Sequence, residues 1–439
     1  MFKTNFFLSP FQRFVKLQSS SGILLLATTI IALVWANSAI GDSYLGFWNY
    51  EIGFVSDHFE LKKPLLLWVN DGLMAIFFFL IGLEIKREFV IGELNSTKKV
   101  MFPLFGALGG ILVPVAFYFI LNQNPDTLKG WGIPMATDIA FSLAILNVLG
   151  NRVPLSLKVF LTAFAIVDDL AAVLVIAVFY SGSLNLAMLS AAIAVLAFIY
   201  FLSYRGVYSK ALIVVSGLIV WLLFLKGGLH PTLAGILMAF AVPVRNKITT
   251  NEFTEQLEGI IHNIKETRVI DGAVLSKSQL QLLNEMENWS EKYQSPIQSF
   301  ENILHNWVAF LVIPIFALAN AGVVFGGTEN LDMALVTTII VSLIVGKSLG
   351  VTLIVLIGEK LKLIAIPLDI KRIHLIGVSF LAGIGFTMAI FIASLAFSES
   401  PEFIDSAKIG ILIGSFISAI IGFLILRFSS KKTKHNEIT

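Results

Sequence analysis

The chain has 439 residues, 56% of them hydrophobic and 14% charged, with a formal net charge of +2. A soluble protein of this length needs a far more polar surface, so that class is excluded. A balance this near neutrality gives no argument for a nucleic-acid partner, and none is expected. Cysteine is absent, which excludes disulfide and thiol chemistry.

Residues 1–18 carry Lys3, Arg13 and Lys16 ahead of the first apolar run. The apolar run that follows ends near Ala36-Asn37-Ser38-Ala39 and has the layout of a signal peptide. A first spanning helix acting as an uncleaved start signal is the simpler reading. Apolar blocks of about 20 residues then recur, the length that crosses a hydrocarbon core as a helix. Twelve are expected, over 19–38, 64–85, 100–122, 131–150, 156–180, 185–203, 208–226, 229–244, 304–325, 333–357, 373–397 and 403–428. The first eight fill 19–244, a polar stretch covers 245–303, the last four fill 304–428, and a tail of 429–439 ends the chain. Of the Lys and Arg residues, 25 fall on one side of these segments, and only Lys62, Lys63, Lys129 and Lys226 on the other. Cytoplasmic flanks collect basic residues, so both termini are expected in the cytoplasm.

Ionisable groups within such segments are expensive and mark function by default. Asp71, Glu84 and Lys408 lie within or at the ends of spans, and His230 opens one beside Pro231; residues so placed most often serve as end caps or interfacial contacts. Asp138 follows Thr137 in Trp131-Gly-Ile-Pro-Met-Ala-Thr-Asp. Pro134 disfavours helix just before it, so the span is expected to break there. Such a break is tolerated only around a cavity or inside protein. A half-helix starting near Thr137 would place Asp138 at its positive end. Asp168 and Asp169 sit almost at the centre of 156–180. Adjacent residues on a helix point about 100° apart, so the two cannot easily share one partner. Two hard carboxylates at low dielectric suit a small hard cation or a proton. The plainer alternative is a buried ion pair that only locks helices together.

Residues 245–303 hold nine acids, among them Asp271 and Glu301. Leu257, Ile260, Ile261 and Ile264 fall at helical spacing, as do Leu275, Leu282, Met286 and Trp289, so two short amphipathic helices are expected. Lys347 lies mid-segment in Ile344-Val-Gly-Lys-Ser-Leu-Gly350, too far from either end to reach water, and needs an internal anion such as Asp168 or Asp169. Gly377, Gly383 and Gly385 crowd the middle of 373–397 and make it the second expected break, although close helix packing uses glycine too. The two interrupted segments are the middle members of spans 3–5 and 10–12. That is the placement of an inverted repeat with a midplane site.

Several motifs carry a resemblance. Leu67-Trp-Val-Asn-Asp-Gly-Leu-Met-Ala75, Gly82-Leu-Glu-Ile-Lys-Arg-Glu88, Ala136-Thr-Asp-Ile-Ala-Phe-Ser142, Ala165-Ile-Val-Asp-Asp169, Gly346-Lys-Ser-Leu-Gly350 and Gly383-Ile-Gly-Phe-Thr-Met-Ala389 resemble the signatures of NhaA sodium/proton antiporters, from about residue 20 to 428. The resemblance implies an all-α polytopic membrane protein with inverted-topology repeats and two broken, crossing helices. The NhaA family is itself a recognised example of that architecture. It implies Asp168 and Asp169 as the sodium and proton carriers, with Lys347 paired to Asp168, and Thr137 and Asp138 at the helix crossing. Glu84, Arg87, Glu88, Glu301 and His305 would form a pH-sensing region. Further implications are a homodimer in the bilayer of a bacterial inner membrane, a part in pH homeostasis and salt tolerance, and transport of Na+, Li+ and H+ without enzyme activity or a cofactor. Two departures stand out. The long 245–303 stretch interrupts the family pattern, and Asn302 and Asn306 replace a histidine and a proline near its end. They bear on pH dependence and not on exchange. The rival readings are a sodium-coupled solute symporter, an intramembrane aspartyl protease and a passive channel.

Overall fold

A computed structural model describes residues 10–57, 59–92, 96–246, 248–266, 275–324 and 331–429, and these are mostly helical. Lys3, Asp271 and the tail beyond Ser429 lie outside the described residues. Helices α1 (Pro10–Ala36) and α2 (Gly41–Trp48) lead into an antiparallel hairpin of β1 (Glu51–Ser56) and β2 (Phe59–Pro64). Then come α3 (Leu65–Val90), α4 (Thr97–Leu121), a 3-10 segment (Pro125–Met135), α5 (Ile139–Val148), α6 (Leu155–Phe179), α7 (Leu186–Tyr204), α8 (Lys210–Gly227) and α9 (Thr232–Ala241). Two polar helices, α10 (Thr250–Glu266) and α11 (Lys277–Tyr293), precede α12 (Pro296–Asn320), α13 (Met333–Lys360), α14 (Arg372–Ala382), α15 (Phe386–Ala396) and α16 (Glu402–Ser429).

Eight of these helices are long and apolar enough to cross a membrane, and counting three bent pairs as single spans raises the number to 11. The pairs are α1 with α2, bent by 113°, the 3-10 segment with α5, bent by 43°, and α14 with α15, bent by 42°. The remaining expected segment, 229–244, forms only the 10 residues of α9. At 1.5 Å per residue α9 spans about 15 Å, half of a hydrocarbon core. Pro231 caps its start, and at its far end Val242 is extended ahead of Pro243, as expected of a residue that precedes proline. Helix α12 starts at Pro296, before the expected 304, because proline at the first position is pre-set for a helix. The β-hairpin was not anticipated. It pairs Gly53 with Lys62, and a Cβ at Gly53 would lie 1.9 Å from the Leu61 carbonyl oxygen, so only glycine fits.

Two packing features position the interior. Helices α4 and α13 meet backbone to backbone at Gly109 and Gly350, where a Cβ on either would lie 2.1 Å from the opposing carbonyl; small residues permit such approach within membranes. Among the described residues, three spans carry a single π-helical turn, at Val69–Leu73, Val308–Val312 and Ser342–Gly346. A π turn interrupts the helical register and is frequent at functional positions. The third one ends at the residue before Lys347, which is fully buried. The polar pair α10 and α11 is joined by a stack of Phe253 on Tyr293 at 4.3 Å, and an exposed Lys210–Glu291 pair at 2.9 Å ties it to α8.

A crossing of broken helices beside buried carboxylates

Where the two broken spans cross, each supplies the groups that the other lacks. Asp138 is the N-cap of α5, its Oδ1 accepting from Phe141 N at 3.1 Å. Its Oδ2 accepts from Thr387 Oγ1 at 2.6 Å and Thr387 N at 3.1 Å, at the start of α15. One carboxylate therefore serves the positive ends of two half-helices, where an anion is favoured. The carbonyls ending α14 are satisfied in return. Leu381 O accepts from Ser142 Oγ at 2.8 Å, Ala382 O from Thr137 Oγ1 at 2.9 Å, and Ile384 O from Asp138 N at 2.6 Å. Lys347 Nζ donates to the Met135 carbonyl at the end of the 3-10 segment, the negative end at which a cation is favoured. Unpaired backbone at this depth would be costly, so these contacts are what permit the breaks.

The Asp168 and Asp169 side chains hang from the middle of α6, at 1% and 3% exposure. Asp168 Oδ2 lies 3.0 Å from Lys347 Nζ, while Asp168 Oδ1 is buried and makes no hydrogen bond of good geometry among the described residues, with the Thr137 hydroxyl close to the carboxylate. The Phe164 ring, one turn before Asp168, faces the same ammonium at 5.9 Å from its centroid, within range of a cation–π attraction. Asp169 lies within electrostatic range of Asp168, Glu84, Asp138 and Lys347. Against one ammonium stand two carboxylates on one helix, with Asp138 nearby. Such a site can hold one small monovalent cation, or protons, in place of the missing positive charge. Among the described residues no cluster of three or more His, Asp or Glu could hold a resident metal ion.

A second group of charges joins α3 to the start of α12. Arg87 reaches Glu301 and Glu88, both at 2.9 Å, and His305 Nε2 lies 3.6 Å from Glu84 Oε1. All five residues expected to lie together do so, and Glu84 and Glu301 are buried. Lys86 adds a contact that the sequence did not suggest, donating to the Phe240 and Val242 carbonyls at the end of α9. Also missed were Thr387, Ser142 and the Met135 carbonyl. The hydroxyls lie just past each break, which is the signal that would have found the first two.

Two broken spans crossing beside buried carboxylates, in a mostly helical membrane protein, are the architecture of a secondary ion transporter. The family model described as Na+/H+ antiporter 1 matches residues 12–426. The chain is 44% identical over 423 residues to the Na(+)/H(+) antiporter NhaA of Oleidesulfovibrio alaskensis, covering 96% of this chain and 94% of that protein. It is 40% identical over 444 residues to the antiporter of that name from Parabacteroides distasonis, with 98% of each covered. With that of Helicobacter pylori it shares 42% over 417 residues, 94% of each. The chain thus belongs to the Na+/H+ antiporter 1 family, that of NhaA. Members of this family are transporters and not enzymes, and the ions they move are substrates, with no cofactor required.

Proposed function

We propose that this protein exchanges cytoplasmic Na+ for external protons, with the two ions competing for Asp168 and Asp169. The observation that carries the reading is the pair itself: two buried, adjacent carboxylates at mid-span, with only the Lys347 ammonium paired to one of them among the described residues. Facing an alkaline cytoplasm the site releases protons and takes Na+; facing a more acidic exterior, protons displace Na+. Movement of one helix bundle against another switches the access. Several titratable groups serve one monovalent ion, which supports more than one proton per Na+ and hence electrogenic exchange. Lithium, also small and hard, is expected to compete. Thr137, Asp138 and Lys347 hold the crossing in place, and Glu84, Arg87, Glu88, Glu301 and His305 sense pH. The basic-residue distribution supports cytoplasmic termini, and the family resemblance supports a homodimer in a bacterial inner membrane.

The protease reading needs Asp138 and Asp169 to share one water. Both oxygens of Asp138 are engaged by Phe141 and Thr387, which argues against it. A symporter would want polar or aromatic groups around a solute, and the crossing offers hydroxyls and carboxylates that are bonded to backbone. The test is Na+-dependent collapse of an imposed pH gradient in proteoliposomes, repeated across pH. Collapse on adding Na+ or Li+ supports exchange; a gradient indifferent to both ions across the range refutes it.

A further inference from the structure

Half-helix α15 begins inside the protein with a cap residue, Gly385, that has no side chain to offer. The first amides of a helix have no partner within it, and away from water each needs an acceptor from elsewhere. Asp138 serves only Thr387 among them. The two amides before it, of Gly385 and Phe386, both donate to one atom, the Oγ of Ser415, at 3.2 Å each. Ser415 is 6% exposed and belongs to α16, which packs along both halves of the broken span. The last span thus caps the half-helix from outside, at a hydroxyl that no sequence motif singled out.

We propose that Ser415 is a positioning residue for ion exchange. It anchors the start of α15 to α16 and so fixes where Thr387 presents its two hydrogen bonds to Asp138. This rests on the reading above that Asp138 belongs to the transport site. Without the hydroxyl, two amides at the positive end of α15 lack an acceptor. The anion close at hand is Asp138, already bonded to the next residue along. Drawing α15 toward it loosens the Asp138 contact with Phe141 and displaces the crossing from Lys347 and Asp168. The consequence is weaker cation binding and an altered pH dependence, with the route across the membrane still present.

The experiment compares parent, Ser415→Ala, Ser415→Thr, Ser418→Ala and Asp138→Asn in proteoliposomes. It reads the apparent KM for Na+, the maximal rate and the pH profile, together with thermal stability in detergent. For Ser415→Ala the KM rises about ten-fold, the scale of one lost buried acceptor. The pH profile shifts, and the maximal rate falls far less. Ser415→Thr keeps the oxygen and stays near the parent. Ser418, one turn further along α16, has a buried Oγ without a hydrogen-bond partner among the described residues, so Ser418→Ala also stays near the parent. A parent-like KM and pH profile in Ser415→Ala overturns the proposal, whatever its stability. So does equal impairment of the Ala and Thr variants. If Ser415→Ala does not insert, Ser415→Cys makes the same comparison, because a thiol is a weak acceptor. An impaired Asp138→Asn beside a parent-like Ser415→Ala defeats this inference alone. A parent-like Asp138→Asn defeats the site reading and this inference with it.

Discussion

Removing the Lys347 ammonium probes the interior most sharply, because nothing about that side chain is exposed. Lys347 and Asp168 both have side-chain exposures of 0% and meet at 3.0 Å, and the same Nζ also serves the Met135 carbonyl. Lys347→Ala therefore leaves a buried carboxylate without its counter-charge and a backbone carbonyl without its donor. Breaking a buried pair by removing one partner costs about 3–5 kcal/mol, and the carbonyl adds about 1–3 kcal/mol. Asp168→Asn alone leaves the lysine uncompensated and costs a similar amount. The double variant leaves no charge unpaired beyond the one that the parent already holds, and it retains mainly the loss of packing and of the Met135 contact. The two single losses should then exceed the double loss by about 3 kcal/mol or more, at or beyond the upper end of pairwise coupling energies. The assay is reversible unfolding of the four proteins in mixed micelles under one set of conditions. Additivity within about 0.5 kcal/mol, the behaviour of independent sites, would refute the argument that the pair is a mutual counter-ion.

Three further outcomes are expected. Asp169→Asn preserves shape and removes one charge at a 3%-exposed position, and it should abolish Na+-driven proton release in vesicles; release at the parent rate would sink the assignment. Deleting 248–294 removes α10 and α11 but leaves the buried start of α12. Since the carboxylates lie about 15 Å from either hydrocarbon surface, exchange should persist while its pH dependence moves, and complete loss in a deletion that still inserts would make the loop part of the machinery. Gly350→Ala places a methyl group 2.1 Å from the Gly109 carbonyl, so α13 must move away from α4 and carry Lys347 with it. Overpacking of this kind costs about 1–3 kcal/mol, and a variant matching the parent in both stability and exchange would contradict the packing argument.

Composition and apolar block length made the fold class legible, since the cost of burying backbone in lipid leaves few architectures open. The break before Asp138 was readable because proline acts on its own neighbours, and the glycine-rich break because few glycines serve a helix interior. The π-helical turns and the hairpin were not readable. A π turn changes register by one residue without a fixed sequence mark, and Glu51–Ser56 and Phe59–Pro64 carry little more than a pair of lysines to distinguish them from a loop. At the crossing, Asp138 stood out as an isolated acid, but its partner Thr387 is 249 positions away. Ser142 and Leu381 are separated by 239. Bonds of that reach come from the packing of whole spans, and no local pattern announces them. Sequence thus marks the charges in this site more readily than the neutral hydroxyls that aim them.

The exchange proposed above requires that sodium and protons compete for Asp168 and Asp169. Its most direct test is proton release on adding Na+ to the purified protein in weakly buffered detergent, followed with a pH indicator at several starting pH values. Competition entails proton release by the parent and none by the Asp168→Asn, Asp169→Asn double variant. Sodium binding by the parent without proton release at any pH would contradict it.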